Sequence, residues 1–197
     1  MPKYADHFEL VYAKDRKVWR KWLEKNHDKS TGIWLVYYTK DSGKPTVTYA
    51  EAVEEALCFG WIDSTANKLD DESHKQMFTP RKAKSVWSKL NKTRINKMIA
   101  EGQMTDAGMA KIDAAKKDGS WTSLDAVEAL EIPPDLKKAF AANKVAKKHF
   151  EEVYSTSLKK MILYRISMSK RQETRDKFIA EVIEAANEGK KPQRYVV

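Results

Sequence analysis

The chain has 197 residues, 42% of them hydrophobic and 33% charged, with a formal net charge of +9 at neutral pH. Six tryptophans exclude an aromatic-poor disordered chain, and no apolar run nears the ~18 residues needed to cross a bilayer. The single cysteine excludes an internal disulfide framework, and the cationic excess favours anionic partners.

In chain order, no apolar run at the amino terminus has the length of a signal peptide's hydrophobic region, so a soluble, cytoplasmic protein is expected. Asp15 is placed to cap a helix whose apolar face is Val18, Trp19, Trp22 and Leu23. Gly32 then closes a turn, and "IWLVYYTK" has the β-branched and aromatic content of a buried strand. After the turn "DSGKP", Thr48 and Glu51 in "TYAE" form a capping box. The helix behind it buries Ala52, Val53, Ala56 and Leu57, and Gly60 is its left-handed stop. "WIDSTANKLDDESHKQMFTPR" is expected to form two strands around an acidic turn.

Beyond Pro80 the pattern is helical nearly to the end. Ser85 is expected to cap a helix with Val86, Leu90, Met98 and Ile99 inward, closed by Gly102. Thr105 caps another that ends at Gly119. "IPPDLKKAFAAN" starts a helix just behind its prolines, and further helices are expected over 146–153, 157–168 and 170–188. The fold class is therefore α+β, a small antiparallel sheet of about three strands packed with helices and followed by a largely helical carboxy-terminal region. The "EIPPD" linker divides residues 1–132 from 133–197.

Familiar catalytic signatures are absent. The four histidines are scattered, with no helical ligand spacing, so no metal is expected. The seven glycines form no phosphate cradle, so no nucleotide cofactor is expected, and no serine sits in a nucleophile elbow. Cys58, between Leu57 and Phe59, has the surroundings of an inert core thiol.

What remains is "CFGWIDS", which carries Asp63 into an apolar run, and the basic "PRKAKSVWSKLN". Antiparallel pairing would bring Asp63 and Arg81 together, and a buried aspartate needs such a partner. Two readings follow. In one, the two form a structural ion pair. In the other, Arg81, Lys82, Ser88, Asn91 and Arg94 line a pocket for an anionic group, walled by Trp61 and Trp87 and bordered by Asp63. A second basic cluster lies in "MSKRQETRDKF". There Ser169 and Gln172 would form a capping box, while Lys170 and Arg171 occupy a first turn that disfavours positive charge. Lys170, Arg171, Thr174 and Arg175 would then face a partner or the pocket, or else form an ordinary helix surface softened by Glu173 and Asp176.

Through "EEALCFGWIDS", "FTPRKAKSVWSKLN", "EGQMTDAG", "AKKDGSW" and "SMSKRQETRDKFI", the chain resembles the YdeI/OmpD-associated family, also labelled bacteriocin-protection proteins, from about Trp22 to Pro192. The resemblance implies the helical carboxy-terminal region typical of that family and a part in tolerance of bacteriocins or cationic peptides. It supplies no catalytic residues. A net charge of +9 opposes direct sequestration of cationic peptides.

The leading expectation is thus a binding protein for a small anionic ligand or an acidic partner, with a stress or peptide-resistance role. One alternative is nucleic-acid binding, which the basic segment and its aromatics favour. Another is an enzyme using Asp63 with Arg81 and Ser88 as acid/base and anion clamp.

Overall fold

A computed structural model describes residues 7–195. The chain divides into two compact units, the first ending at Ser123 and the second beginning at Leu124.

Among the described residues the first unit combines a four-stranded sheet with four α-helices. Its elements are β1 (Leu10–Tyr12), α1 (Arg16–Asn26), β2 (Ile33–Tyr38), α2 (Tyr49–Cys58), β3 (Trp61–Lys68), β4 (Ser73–Pro80), α3 (Lys89–Ala100) and α4 (Asp106–Asp118). The strand order is β1-β2-β4-β3. β4 pairs antiparallel with both of its neighbours, placing Ile33 opposite Phe78 and Trp61 opposite Pro80. The sheet differs from the expected three antiparallel strands because β1 joins it in parallel, with Val11 opposite Leu35. Three residues with exposed flanks give too short an alternation to read as a strand.

Local chemistry accounts for the helix starts. Asp15 accepts from the Val18 amide, and Thr48 and Glu51 form the reciprocal capping box of α2. Trp19, Leu23, Ala56, Leu57 and Phe78 then meet in the core. α2 is buried along nearly its whole length, including Glu54 and Glu55. Arg16 and Arg20 of α1 answer those carboxylates, Arg16 contacting Glu54 at 2.9 Å and Glu55 at 2.6 Å, and Arg20 contacting Glu55 at 2.7 Å. Lys97 of α3 reaches Glu54 at 2.9 Å, so three helices are tied through one charge network.

α3 begins later than expected. Its cap is Ser88, not Ser85, and Leu90 and Ile99 face outward. Ser85 has another use, accepting a bond from the Arg81 side chain at 3.2 Å. The segment between β4 and α3 turns at residues 83–84, with Lys84 at φ 60°, and stays non-helical through Ser88.

The second unit holds α5 (Asp125–Glu128), α6 (Pro134–Ala142), α7 (Lys144–Glu152), α8 (Thr156–Met168) and α9 (Gln172–Asn187). Pro134 occupies the first turn of α6, where its missing N–H costs nothing. Leu136, Phe140, Phe150, Ile162, Ile166, Phe178 and Val182 form a separate core. The expected Ser169–Gln172 capping box does not form. The Ser169 hydroxyl donates back to the Arg165 carbonyl at 2.8 Å, closing α8, and α9 starts behind Arg171 with no side-chain cap. Lys170 and Arg171 therefore precede α9 rather than occupying its first turn. Among the described residues no helix is long and apolar enough to cross a membrane.

Candidate functional site

The site starts at Gly60. Its φ of 73° ends α2 and turns the chain into β3, a conformation glycine adopts without strain. Its carbonyl accepts the Arg81 amide at 2.9 Å, fixing the end of β4. A Cβ at Gly60 would come within 2.6 Å of Lys111 Cγ, so the Lys111 stem lies against the glycine. One residue thus seats two cations from distant parts of the chain.

Arg81 is 4% exposed. Its guanidinium lies 3.5 Å from the centre of the Trp87 ring, and Nη1 donates to Ser85 Oγ and to the Val86 carbonyl, each at 3.2 Å. Nε is buried and has no hydrogen-bond partner among the described residues. Burial pushes the guanidinium pKa down to about 10, the Asp63 charge pulling only weakly the other way, so Arg81 stays cationic at neutral pH. No carboxylate forms an ion pair with it among the described residues.

Asp63 is therefore not the ion-pair partner of Arg81. The ladder puts Asp63 opposite Phe78, while Arg81 lies one residue beyond the last pair, Trp61–Pro80, and turns onto Trp87. Asp63 is half-buried and accepts from the Tyr49 hydroxyl at 2.8 Å and from Gln76 Nε2 at 3.4 Å. Arg94 lies over the Tyr49 ring at 5.9 Å and donates to Asn91 Oδ1 at 3.3 Å, and the Ser88 hydroxyl accepts the Asn91 amide.

The sequence-derived residues thus fall into two groups. Trp61, Arg81 and Lys82 line an open cleft of 890 Å³, together with Lys111. Arg81, Lys82, Trp87 and Lys111 also border an adjoining chamber of 80 Å³. Asp63, Ser88, Asn91 and Arg94 line neither and form the chain of contacts through Tyr49. Lys84 and Asp118 are the other charged residues of the chamber. The Asp118 carboxylate accepts the Ser120 amide at 2.9 Å and the Lys84 amide at 3.1 Å, which binds the Lys84 turn to the end of α4. The Ser120 hydroxyl and these amides hold its carboxyl below the usual range.

The second basic cluster also divides. Lys170, Arg171 and Thr174 line an open groove of 820 Å³ with Arg165, Arg194 and two tyrosines, Tyr164 and Tyr195. Arg175 turns away from it, paired with both oxygens of Asp135 and donating to the Ile166 carbonyl.

Residues 11–111, just over half of the chain, match the family model described as Domain of unknown function (DUF8412). Residues 129–189 match the model described as Bacteriocin-protection, YdeI or OmpD-Associated. The chain belongs to the DUF8412 family by its residues 11–111, and a YdeI/OmpD-associated region follows at residues 129–189. No curated protein and no solved structure matches it.

The two matches take in four of the five motifs, and "AKKDGSW" lies between them. "EEALCFGWIDS", "FTPRKAKSVWSKLN" and "EGQMTDAG" lie in the DUF8412 domain, and "SMSKRQETRDKFI" lies in the YdeI/OmpD-associated region. The Arg81 cleft belongs largely to the former and the basic groove to the latter. Sequence reasoning did not find Lys111, because nothing in the pattern of α4 shows that its stem packs on Gly60. It also missed the Glu54–Glu55 network. The available signal was a pair of carboxylates inside an otherwise apolar helix, facing arginines four residues apart on α1.

Proposed function

We propose that this protein binds a small anionic ligand in the cleft at Arg81. The observation carrying this reading is a buried guanidinium, clamped on Trp87, whose Nε has no hydrogen-bond partner and which no carboxylate contacts among the described residues. Burying an uncompensated charge is costly, and an anion supplied from outside offsets that cost. Lys82 and Lys111 border the same space and attract such a ligand from solution. The proposed stress role follows the family resemblance, and the proposed cytoplasmic location follows the amino-terminal sequence, which has no apolar run of signal-peptide length. Because the net charge is +9, any part in peptide tolerance runs through the bound ligand rather than through capture of cationic peptides.

The reading is tested by calorimetric titration of a panel of small phosphates, sulfates and carboxylates. Arg81→Gln should abolish whatever binding the wild type shows, with circular dichroism confirming the fold. Binding that survives in a folded Arg81→Gln protein would remove Arg81 from the site.

Nucleic-acid binding remains a second reading, favoured by the groove in the second unit where Arg165, Lys170, Arg171 and Arg194 flank Tyr164 and Tyr195. Cations beside stacking platforms suit a single strand. Binding of an oligonucleotide should persist at physiological salt and fail in Lys170→Ala/Arg171→Ala. The enzyme alternative receives no comparable support, because Asp63, Arg81 and Ser88 are engaged with different partners.

A further inference from the structure

Resting on the anion-binding reading, we infer that the ligand is a phosphomonoester, its phosphoryl group in the small chamber at Arg81 and its organic body in the adjoining cleft. The division of space is the first argument. The chamber measures 80 Å³, room for a compact group of a few heavy atoms; one water needs roughly 10–15 Å³. The cleft, at 890 Å³, lies in the range that accommodates whole small ligands. Arg81, Lys82 and Lys111 belong to both, so a molecule spanning the two presents its charged end to these three cations.

Charge selects the phosphoryl group over a carboxylate. Arg81, Lys82, Lys84 and Lys111 surround the chamber against the single acid Asp118, whose two oxygens already accept backbone amides. A carboxylate brings one negative charge, while a phosphate monoester carries about −1.5 to −2 near neutral pH and three strong acceptor oxygens. Arg81 is also oriented in advance. Trp87 fixes the plane of the guanidinium and the Ser85 and Val86 bonds fix its rotation, so the unpartnered Nε keeps one direction.

The cleft describes the body less sharply. Ser30, Thr31 and Thr79 offer hydroxyls beside the apolar Met77, Pro80 and Ala110. That mixture suits a polar organic moiety better than a hydrocarbon tail.

The experiment is isothermal titration of the whole protein with inorganic phosphate, AMP, glucose 6-phosphate, glycerol 3-phosphate and phenyl phosphate, beside citrate, succinate and benzoate. At least one monoester should bind tenfold or more tighter than inorganic phosphate, since only it fills the cleft. Arg81→Lys should weaken that binding at least tenfold. Lys111→Ala, an exposed position that leaves the core untouched, should weaken it several-fold and keeps the test valid if the Arg81 variant misfolds. Carboxylates binding in an Arg81-dependent manner while no phosphate compound binds would overturn the phosphoryl assignment and leave the anion reading standing. No anion of either class binding, or phosphate binding indifferent to both substitutions, would overturn both.

Discussion

The Thr105 hydroxyl donates to the Cys58 carbonyl at 2.6 Å, and the Thr105 amide donates to the same oxygen at 3.3 Å. The residue that caps α4 therefore also satisfies the end of α2, and the two helices meet with almost no space between them. Gly108 makes that approach possible, because a Cβ there would lie 2.2 Å from the Cys58 carbonyl oxygen. α4 carries Lys111, so this junction also sets where a site lysine stands relative to Arg81.

Gly108→Ala should consequently destabilise the protein, although alanine gains about 1 kcal/mol over glycine in an unconstrained helix. The clash is with backbone and cannot be relieved by a side-chain rotation. A net loss of about 1–3 kcal/mol is expected, as for overpacked cores. Denaturant unfolding of the variant measures it, and a gain in stability would show that α4 can shift away from α2.

The charge network between α1, α2 and α3 should behave as one unit. Glu55→Gln replaces the carboxylate shared by Arg16 and Arg20 with a neutral amide that keeps one acceptor oxygen, and should cost about 1.5–3 kcal/mol. In an Arg16→Gln/Arg20→Gln background the same substitution should cost much less. A thermodynamic cycle checks the coupling, and additive costs would mean the contacts act independently.

Acid should weaken this network from one side. Burial alone would raise the Glu54 pKa, but Lys97 and Arg16 more than offset it and hold the carboxyl below its ordinary 4.5. A depressed folded pKa means that the stabilisation is fully present above 4.5 and fades as pH falls through the lower folded value. In the second unit, the Arg175 contact depresses Asp135 in the same sense. Stability measured against pH should therefore decline below about pH 4.5, with a shallower decline in Glu54→Gln.

Cys58 should be chemically silent in the native protein. It is fully buried, and burial, helped by the nearby Glu55 charge, pushes its thiol up to about 11. At pH 8 a thiol reagent should label it only after denaturation. Rapid native labelling would reveal an opening of the α2–α4 junction.

These elements differ in how far the sequence disclosed them. The Thr48–Glu51 capping box, the left-handed Gly60 and the hairpin from Trp61 to Pro80 depend on residues a few positions apart, and local chemistry determines them. Ser85 and Ser88 are equally good caps, and the choice between them rests on where the Arg81 guanidinium turns, a tertiary fact. The Asp63–Arg81 pair was inferred from the rule that buried charges find opposite charges. The rule does not anticipate an arginine held on an indole ring with no acid beside it. Lys111 reaches the site through packing across α4 and Gly60, which no local pattern encodes.

β1 is only three residues long, yet it covers one side of β2, whose sequence is "IWLVYY". On the far margin of the sheet, β3 displays exposed polar residues and Lys68, which discourage pairing with another chain. β2 has no such guard of its own. If β1 detached, six consecutive β-forming, uncharged residues would present open amides and carbonyls, a template for intermolecular cross-β growth. Val11→Pro, which prevents β1 from pairing normally, should therefore turn a soluble preparation into one that forms thioflavin-positive aggregates with a lag that shortens as concentration rises.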